Sequence, residues 1–184
     1  MPERIKDYLG EDLKLIVSLR NPVDRAISAY FHNLKRGRVD YDKPFFKMAK
    51  HYGIIHLGFY YEHLSSWLNV YPMENFKILI FEELMADQTS AIKDILRFLE
   101  VDPAFIPQDL NKVVYKGLSR KKIDNNYYID QKSIKGQKSP EDKNQQDLLL
   151  IQDTDVKKLK KIFRPDVKKL SRLLNKDLLS TWEL

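Results

Sequence analysis

The stretch KLIVSLRNPVDRAISAY, residues 14–30, joins an apolar run to the start of a helix and decides the fold class. The apolar run does not alternate with polar residues, which is typical of a strand buried on both faces of a parallel sheet. Asn21 is a suitable N-cap and Pro22 a suitable first residue of the following helix, and Gly37 is suited to its end. The stretch therefore predicts a strand followed directly by a helix, the unit from which α/β proteins are built.

Three other segments show clear periodicity. FKILIFE, residues 76–82, is a second apolar run and predicts a second strand. Apolar residues recur at intervals of three and four over 57–70, and again over 91–101 after candidate caps in 87–90. Both patterns predict amphipathic helices. We therefore expect an α/β fold in which helices flank a parallel sheet.

The C-terminal part of the chain is less regular. Residues 104–150 are rich in Pro, Asn, Gln, Asp and Lys without a sustained period, and predict an irregular, partly mobile segment within a single domain, 1–184. Apolar residues then mark a helix face from Val156 to Phe163 and a second from Val167 to Leu174. Arg164-Pro165 is expected to break the helix between them. Trp182 is expected to anchor the tail to the core.

The composition excludes several classes of protein. The 184 residues are 43% hydrophobic and 32% charged with a mean hydropathy of -0.49, and no apolar run approaches the length of a membrane span. We expect no membrane partner. Residues 1–12 are charged throughout and lack the apolar segment of a secretory signal, so we expect a cytoplasmic location. The absence of cysteine excludes a disulfide scaffold, a thiol nucleophile and a Cys-ligated metal.

The charge balance favours anionic partners. Lys and Arg outnumber Asp and Glu by 32 to 26, giving a net charge of +6. Much of the excess lies in 112–172, where the lysines and arginines are either solvated faces of loops and helices or part of an anion site. Nucleic-acid binding is another possible function of this basic cluster. The chain has no recognised nucleic-acid motif and no aromatic-rich basic patch, which argues against it. We expect no nucleic-acid partner.

Two doubly buried strands are too few for an independently stable sheet. Three explanations are open: the irregular segment contributes further strands, another chain contributes them, or the polypeptide is the later part of a larger domain. In a monomer we expect an exposed apolar edge beside strand 13–19 and poor solubility, and hence a partner chain or self-association at that edge.

The junction of the first strand and its helix has the chemistry of an anion site. Backbone N–H groups and the positive end of the helix dipole face the carboxyl end of the strand, where α/β sheets bind ligands. Arg20 follows directly after the strand, at its carboxyl end, and can hold a phosphate bidentately. Ser28 is at helical spacing from Asp24 and Arg25 and can add a hydroxyl on a neighbouring face of the helix. The alternative is that Arg20 and Arg25 pair with acids such as Asp24, Glu82 or Glu83 and only fasten the strand to the helix.

At these residues the sequence resembles the 3′-phosphate-binding motif of sulfotransferases that use 3′-phosphoadenosine 5′-phosphosulfate. The motif is an apolar strand, Arg, Asn or Asp, Pro, an acid and Arg two residues later, then Ser and an aromatic. Seven residues of this chain comply with it: Arg20, Asn21, Pro22, Asp24, Arg25, Ser28 and Tyr30. Further resemblance covers 58–67, 76–84 and 92–103, and the close of the chain is similar to the branch that sulfates carbohydrates. The fold that the resemblance implies is the three-layer fold of P-loop NTPases.

The resemblance implies roles for individual residues. Arg20 and Ser28 would bind the 3′-phosphate of the nucleotide, and Asp24 and Arg25 would support the motif. A basic loop that closes over the nucleotide in the family has its best local candidate in Lys116, Gly117 and Arg120, among the residues 116–122. The implied reaction is transfer of a sulfuryl group to a hydroxyl or amine acceptor, here a carbohydrate, without a metal.

One part of the family pattern is missing. Family members carry a first strand and a phosphate loop upstream of the motif, followed by a segment that supplies the catalytic base. Only thirteen residues precede Lys14, and the nearest loop-like pattern, Gly53 to Gly58, continues with Phe59-Tyr60 instead of Lys and Ser or Thr. We therefore expect the C-terminal portion of a sulfotransferase, truncated and incomplete at its N-terminus, that needs the missing half for activity.

The sequence does not assign the catalytic base and leaves other functions open. None of the four histidines is chosen; His56 and His63 lie on one predicted helix as surface or packing residues. A noncatalytic nucleotide-binding or assembly module derived from a sulfotransferase would keep the same anion site. A nucleoside kinase would share the expected fold. The absence of a lysine-bearing phosphate loop argues against a kinase as well, and the motif from Arg20 to Tyr30 favours a sulfotransferase.

Overall fold

The computed structural model describes residues 2–108, 110, 120–129 and 147–184. Contacts divide the chain into two compact units, residues 1–21 with 60–114 and residues 22–59 with 115–184. In chain order the elements are α1 (Pro2–Leu9), β1 (Leu15–Leu19), α2 (Pro22–Lys35), α3 (Phe45–Met48), α4 (Tyr60–Leu68), β2 (Phe76–Ile80), α5 (Phe81–Ala86), α6 (Gln88–Phe98), β3 (Arg120–Ile123), β4 (Asn126–Ile129), β5 (Leu148–Ile151), α7 (Asp153–Leu174) and α8 (Leu178–Thr181).

The first unit contains the two parallel strands that the sequence predicts, but the expectation that both are buried on two faces is wrong for β1, where Ile16 is 44% exposed and only Leu19 is buried. β1 and β2 pair in parallel, in register from Leu15 opposite Phe76 to Leu19 opposite Ile80. The helices α1, α4, α5 and α6 belong to the same unit. α6 begins where its cap was expected, because the Asp87 side chain accepts a hydrogen bond from the Ser90 N–H at 2.9 Å. The predicted α/β class is confirmed.

The end of β2 differs from the sequence prediction. The apolar run was expected to remain a strand through residue 82, but β2 ends at Ile80 and α5 begins at Phe81. The run FEELMA combines good helix formers with two acids in the first turn, which the helix dipole favours. Phe81 and Glu82 consequently belong to a helix that starts at the carboxyl end of the sheet.

The second unit is built on α2. This helix buries a broad face that includes Ile27, Tyr30 and Leu34. Gly37 closes the end of this helix as predicted, two residues after Lys35, with a positive φ of 65°. The Gly37 N–H donates to the Leu34 carbonyl and the Arg38 N–H to the Asn33 carbonyl, each at 2.9 Å, the pattern of a Schellman motif.

Pro165 does not break the C-terminal helix, so the expectation of two helices is wrong. α7 is continuous over 22 residues with Pro165 inside it. Phe163, Val167 and Leu170 are all fully buried on one face, and this burial outweighs the hydrogen bond that a proline cannot donate. Pro165 itself is exposed, where water can satisfy the carbonyl that loses its helical donor. Trp182 is 1% exposed, which confirms it as a core anchor of the tail.

The segment expected to be irregular contributes strands. β3 and β4 form a hairpin around Asp124 and Asn125, with Asp124 at a positive φ of 52°, and β4 pairs antiparallel with β5. These short strands were not predicted, because their lysine and asparagine residues interrupt the alternation of apolar and polar residues that indicates a strand. They form their own sheet, and among the described strands β1 pairs with β2 alone. Within the described ranges, no helix is both long and apolar enough to cross a membrane.

Candidate functional site

The carboxyl ends of β1 and β2 lie side by side in the first unit. The register ends with Leu19 opposite Ile80, so the residues that follow the two strands, Arg20 and Phe81, are neighbours. The guanidinium carbon of Arg20 lies 4.9 Å from the centroid of the Phe81 ring. One residue further, the Asn21 N–H donates to Glu82 Oε1 at 2.9 Å. Side chains from the start of α5 therefore hold the turn that follows β1.

This arrangement revises the expected anion site at one point. The sequence suggested that the N–H groups at the start of α2 face a ligand, but the Asn21 N–H donates to a carboxylate of the protein. The alternative interpretation named Glu82 as a partner of an arginine side chain, whereas the contact seen here is with the main-chain N–H of Asn21. Arg20 is half-buried against an aromatic face. A guanidinium beside an aromatic ring keeps its planar set of N–H donors, which suits a bidentate contact with an anion.

Asp24, Arg25 and Ser28 occupy the first two turns of α2, as the predicted helical spacing requires, and belong to the second unit. Arg25 Nη2 donates to the Gly53 carbonyl at 3.3 Å and also to the Ile54 carbonyl. Gly53 has a positive φ of 67° and Ile54 is fully buried. Arg25 therefore fixes the main chain of the loop before residue 56, a contact that supports the helix from within its own unit.

The candidates for the basic loop are placed only in part. Lys116 and Gly117 lie outside the described residues. Arg120 begins β3 in the second unit, with its guanidinium carbon 5.1 Å from the centroid of the Phe31 ring. Phe31 belongs to α2, so Arg120 lies against the same helix that carries Ser28.

The histidines are arranged differently from the sequence prediction. The helix expected over 57–70 is a short 3-10 turn over His56–Gly58 followed by α4, so His56 and His63 do not share one helix. In the described part of the chain, no three His, Asp or Glu side chains form a group that could hold a metal ion.

Tyr30, the aromatic residue of the motif, has an unusual environment. It is fully buried, and its hydroxyl has no hydrogen-bond partner among the described residues. Its ring packs edge-on against Phe45 with 5.2 Å between centroids. Burial, reinforced by the charge of Asp155, Asp40 and Asp42, raises the pKa of Tyr30 from 10.0 to about 12. The buried neutral phenol is therefore a packing group of the second unit.

Replacing Tyr30 with phenylalanine is expected to remove an alkaline loss of stability. The unfolded phenol ionises near its ordinary pKa of 10.0 and the folded one only near 12, so the folded chain holds a proton that the unfolded chain releases. The free energy of unfolding of the wild type should fall from pH 10 upward, by about 1.4 kcal/mol per pH unit. At pH 7 the variant should be equally stable or gain up to about 1 kcal/mol, because an unsatisfied hydroxyl is lost.

Urea unfolding at pH 7, 9, 10 and 11 measures this difference. Tyr8→Phe is the matched control, because Tyr8 is 81% exposed. This variant should leave the pH dependence of the free energy of unfolding unchanged. The same alkaline slope in the wild type and in Tyr30→Phe would contradict the assignment.

Sequence reasoning missed Phe81 as a neighbour of Arg20, and it named Glu82 only as an ion-pair partner of the arginines; it placed both residues on a strand. The available signal was the pair of acids directly after the apolar core of β2, because carboxylates are favoured in the first turn of a helix. That signal predicts the start of α5, but the contacts to Arg20 and Asn21 follow only from the strand register.

Known proteins similar to this chain share one activity in their names. The chain is 30% identical over 96 residues to a 3-beta-hydroxysteroid sulfotransferase of Cavia porcellus, covering 51% of this chain and 33% of that protein. It is 32% identical over 108 residues to heparan sulfate glucosamine 3-O-sulfotransferase 6 of Mus musculus, covering 53% and 30%. These matches thus span about a third of each relative's length.

A solved structure and a family model extend the similarity to nearly the whole chain. The crystal structure of a sulfotransferase from Alicyclobacillus acidocaldarius superposes with a TM-score of 0.68 at 24% identity, over 100% of this chain and 62% of that one, which shows a shared fold. The model of the sulfotransferase domain matches residues 3–178. With a strand, an arginine and a helix in the order of the family's nucleotide motif, and a family match over nearly its entire length, the chain belongs to the sulfotransferase domain family.

Proposed function

We propose that this chain binds 3′-phosphoadenosine 5′-phosphosulfate and that the protein transfers the sulfuryl group to a hydroxyl or amine acceptor. The observation that carries the proposal is the motif of residues 14–30 together with the place of Arg20, directly after β1 at the carboxyl end of a parallel strand pair. α/β sheets bind ligands outside the carboxyl ends of their strands. Family membership supports sulfuryl transfer as the reaction class.

In this proposal the residues of the motif have separate roles. Arg20 donates to the 3′-phosphate through its guanidinium, and the Ser28 hydroxyl donates to the same group. Asp24 and Arg25 support the motif, and the contacts of Arg25 with two main-chain carbonyls agree with such a role. We propose that Lys116, Gly117 and Arg120 also contribute to nucleotide binding, Arg120 from the start of β3.

The proposed reaction is an in-line displacement at sulfur. The acceptor oxygen or nitrogen forms a bond to sulfur while the bond between sulfur and the 5′-phosphate oxygen breaks, and a general base removes the acceptor proton. The products are the sulfated acceptor and 3′-phosphoadenosine 5′-phosphate. Catalysis of this kind rests on positioning and on cations near the leaving phosphate, and we propose that it needs no metal.

We propose a carbohydrate as the acceptor. The C-terminal sequence is similar to the branch of the family that sulfates carbohydrates, and one relative is named for heparan sulfate glucosamine. Another relative is named for a 3-beta-hydroxysteroid, so the shared chemistry is an acceptor hydroxyl. A panel of oligosaccharides and hydroxysteroids offered to the protein with radiolabelled cosubstrate separates these classes.

Calorimetric titration with 3′-phosphoadenosine 5′-phosphate tests the nucleotide site directly, with adenosine 5′-monophosphate as the control ligand. Selective binding of the bisphosphate supports the proposal, and a folded chain that binds neither ligand contradicts it. Selective binding by the chain, with no transfer to any acceptor once the missing half is supplied, would favour the second candidate, a noncatalytic nucleotide-binding or assembly module.

We also propose that β1 is a site of association with a partner chain or a second copy. Ile16 is 44% exposed in the middle of β1, and among the described strands β1 pairs only with β2. Exposed apolar strands that lack a neighbour favour association. This proposal explains how a pair of strands is completed into a larger sheet.

Ile16→Thr is expected to reduce self-association, because threonine keeps the strand propensity and removes apolar surface. Sedimentation velocity over a concentration series measures the effect. Met73→Thr, at a residue that is 39% exposed outside the strands, is the matched control and should behave as the wild type. A wild-type chain that is monomeric and soluble throughout the series would contradict association with a second copy.

A further inference from the structure

The two residues that follow β2 contact the two residues that follow β1, one to one. Arg20 packs on the ring of Phe81, and the Asn21 N–H donates to the Glu82 carboxylate. The parallel register, which ends with Leu19 opposite Ile80, explains this pairing. All of these residues belong to the first unit. The strand ladder is thus prolonged by two side-chain contacts into the turn that carries Arg20.

The Phe81 ring restricts the orientation of the Arg20 guanidinium. A flexible arginine side chain loses rotamer freedom when it binds an anion, and this loss weakens binding. A ring at 4.9 Å holds the guanidinium before any ligand arrives and adds a cation–π attraction. A cation–π contact uses the charge of the guanidinium and not its N–H donors, so these donors stay available for a bidentate contact with an anion.

Glu82 acts on the main chain of the same turn. Its carboxylate accepts the N–H of the residue that follows Arg20, at 2.9 Å, and so fixes the peptide from which α2 continues. The same carboxylate carries a negative charge close to the proposed phosphate site, which disfavours an anion. Its geometric effect and its electrostatic effect on binding therefore have opposite signs.

We infer that Phe81 and Glu82 are positioning residues for Arg20 as the ligand of an adenosine 3′-phosphate. The inference rests on the proposed function and deepens it. Phe81 holds the guanidinium beside its ring, and Glu82 holds the main chain that carries it. Neither residue takes part in a bond or proton transfer.

Phe81 is tested by Phe81→Leu and Phe81→Tyr in calorimetric titrations with 3′-phosphoadenosine 5′-phosphate and with adenosine 5′-monophosphate. We expect leucine to weaken bisphosphate binding about three- to tenfold, and tyrosine, which keeps the ring, to restore it to within about twofold. The ratio of the two affinities should fall with leucine, because only the 3′-phosphate uses Arg20. Phe105→Leu, at a residue that is 62% exposed in the same unit, is the matched control and should have no effect.

Glu82 is tested by Glu82→Gln and Glu82→Ala in the same titrations. Glutamine keeps an acceptor for the Asn21 N–H and removes the charge, so bisphosphate binding should be equal to the wild type or tighter. Alanine removes the acceptor, and binding should weaken about three- to tenfold. Amide hydrogen exchange at Asn21 provides a second measurement, expected to stay slow with glutamine and to accelerate with alanine.

The outcomes distinguish this inference from the function on which it rests. If Arg20→Ala loses selectivity for the bisphosphate but Phe81→Leu and Glu82→Ala keep it, the positioning roles are wrong and the 3′-phosphate site stands. If alanine and glutamine at residue 82 have the same effect on both binding and Asn21 exchange, the role of Glu82 is wrong. If the wild-type chain binds neither nucleotide, the proposed function fails and this inference fails with it.

Discussion

Arg20→Ala is expected to weaken binding of 3′-phosphoadenosine 5′-phosphate by about 1.5–3 kcal/mol, or roughly 10- to 150-fold in Kd, the range for a hydrogen bond to a charged group. The guanidinium is already held against the Phe81 ring, so little of the binding energy is lost in ordering it. The loss should be confined to ligands with a 3′-phosphate. Titration calorimetry with the bisphosphate and with adenosine 5′-monophosphate measures both affinities.

A matched variant separates the loss of a direct contact with the phosphate from the loss of a positive charge. Arg97 belongs to α6 in the same unit, pairs with Asp94 at 2.7 Å, and is exposed. Arg97→Ala removes one cation as Arg20→Ala does, and we expect it to leave the affinity ratio unchanged. Equal losses in the two variants would mean that only the net charge attracts the nucleotide, and a folded Arg20→Ala chain with wild-type affinity would remove Arg20 from the site.

Gly58→Ala is expected to destabilise the second unit by about 1–3 kcal/mol. A Cβ at this position would lie 2.6 Å from Cε1 and 2.8 Å from Cζ of Phe163, closer than side-chain atoms pack. Phe163 is fully buried on α7, with its ring 5.5 Å from that of Phe59, so it has little room to yield. At an unobstructed position glycine to alanine commonly stabilises a chain, so the contact with Phe163 decides the sign here.

Urea denaturation of the single and double variants tests this packing. Phe163→Leu shortens the side chain that the new methyl group meets, and itself costs stability through the cavity that it leaves. Gly58→Ala should cost clearly less in the Phe163→Leu background than in the wild type, giving a coupling of about 1 kcal/mol. Additive losses in the double variant would show that Phe163 is not the obstacle.

Much of the candidate site was predictable because it is contiguous in sequence. The order of an apolar strand, Arg20, Pro22 and Ser28 is readable in one dimension, since each residue type suits its place at the junction of a strand and a helix. The partners of these residues were not predictable. Arg25 reaches carbonyls 28 and 29 positions along the chain, and Asn21 reaches a carboxylate 61 positions away. No local pattern encodes a contact over such separations.

The elements of the fold were predictable to the extent that local signals were strong and agreed. The apolar runs of β1 and β2, the αL glycine at 37 and the cap at Asp87 each have a local cause, and the structure confirms them. β3, β4 and β5 escaped prediction because each is only four residues long and the first is rich in lysine. Their pairing with one another stabilises them more than the propensity of any one of them does.

The sequence by itself determined that this chain contains a strand followed by a helix with an arginine between them, and that this stretch resembles the nucleotide motif of sulfotransferases. Tertiary structure decided which side chain contacts that arginine. It also decided that the helix continues through Pro165. Pro165 stays within α7 because three buried side chains around it contribute more than one main-chain hydrogen bond. Phe81 reaches Arg20 because the register of two distant strands places them at the same level. Local propensities act over a few residues, whereas packing and register join segments that the sequence keeps far apart.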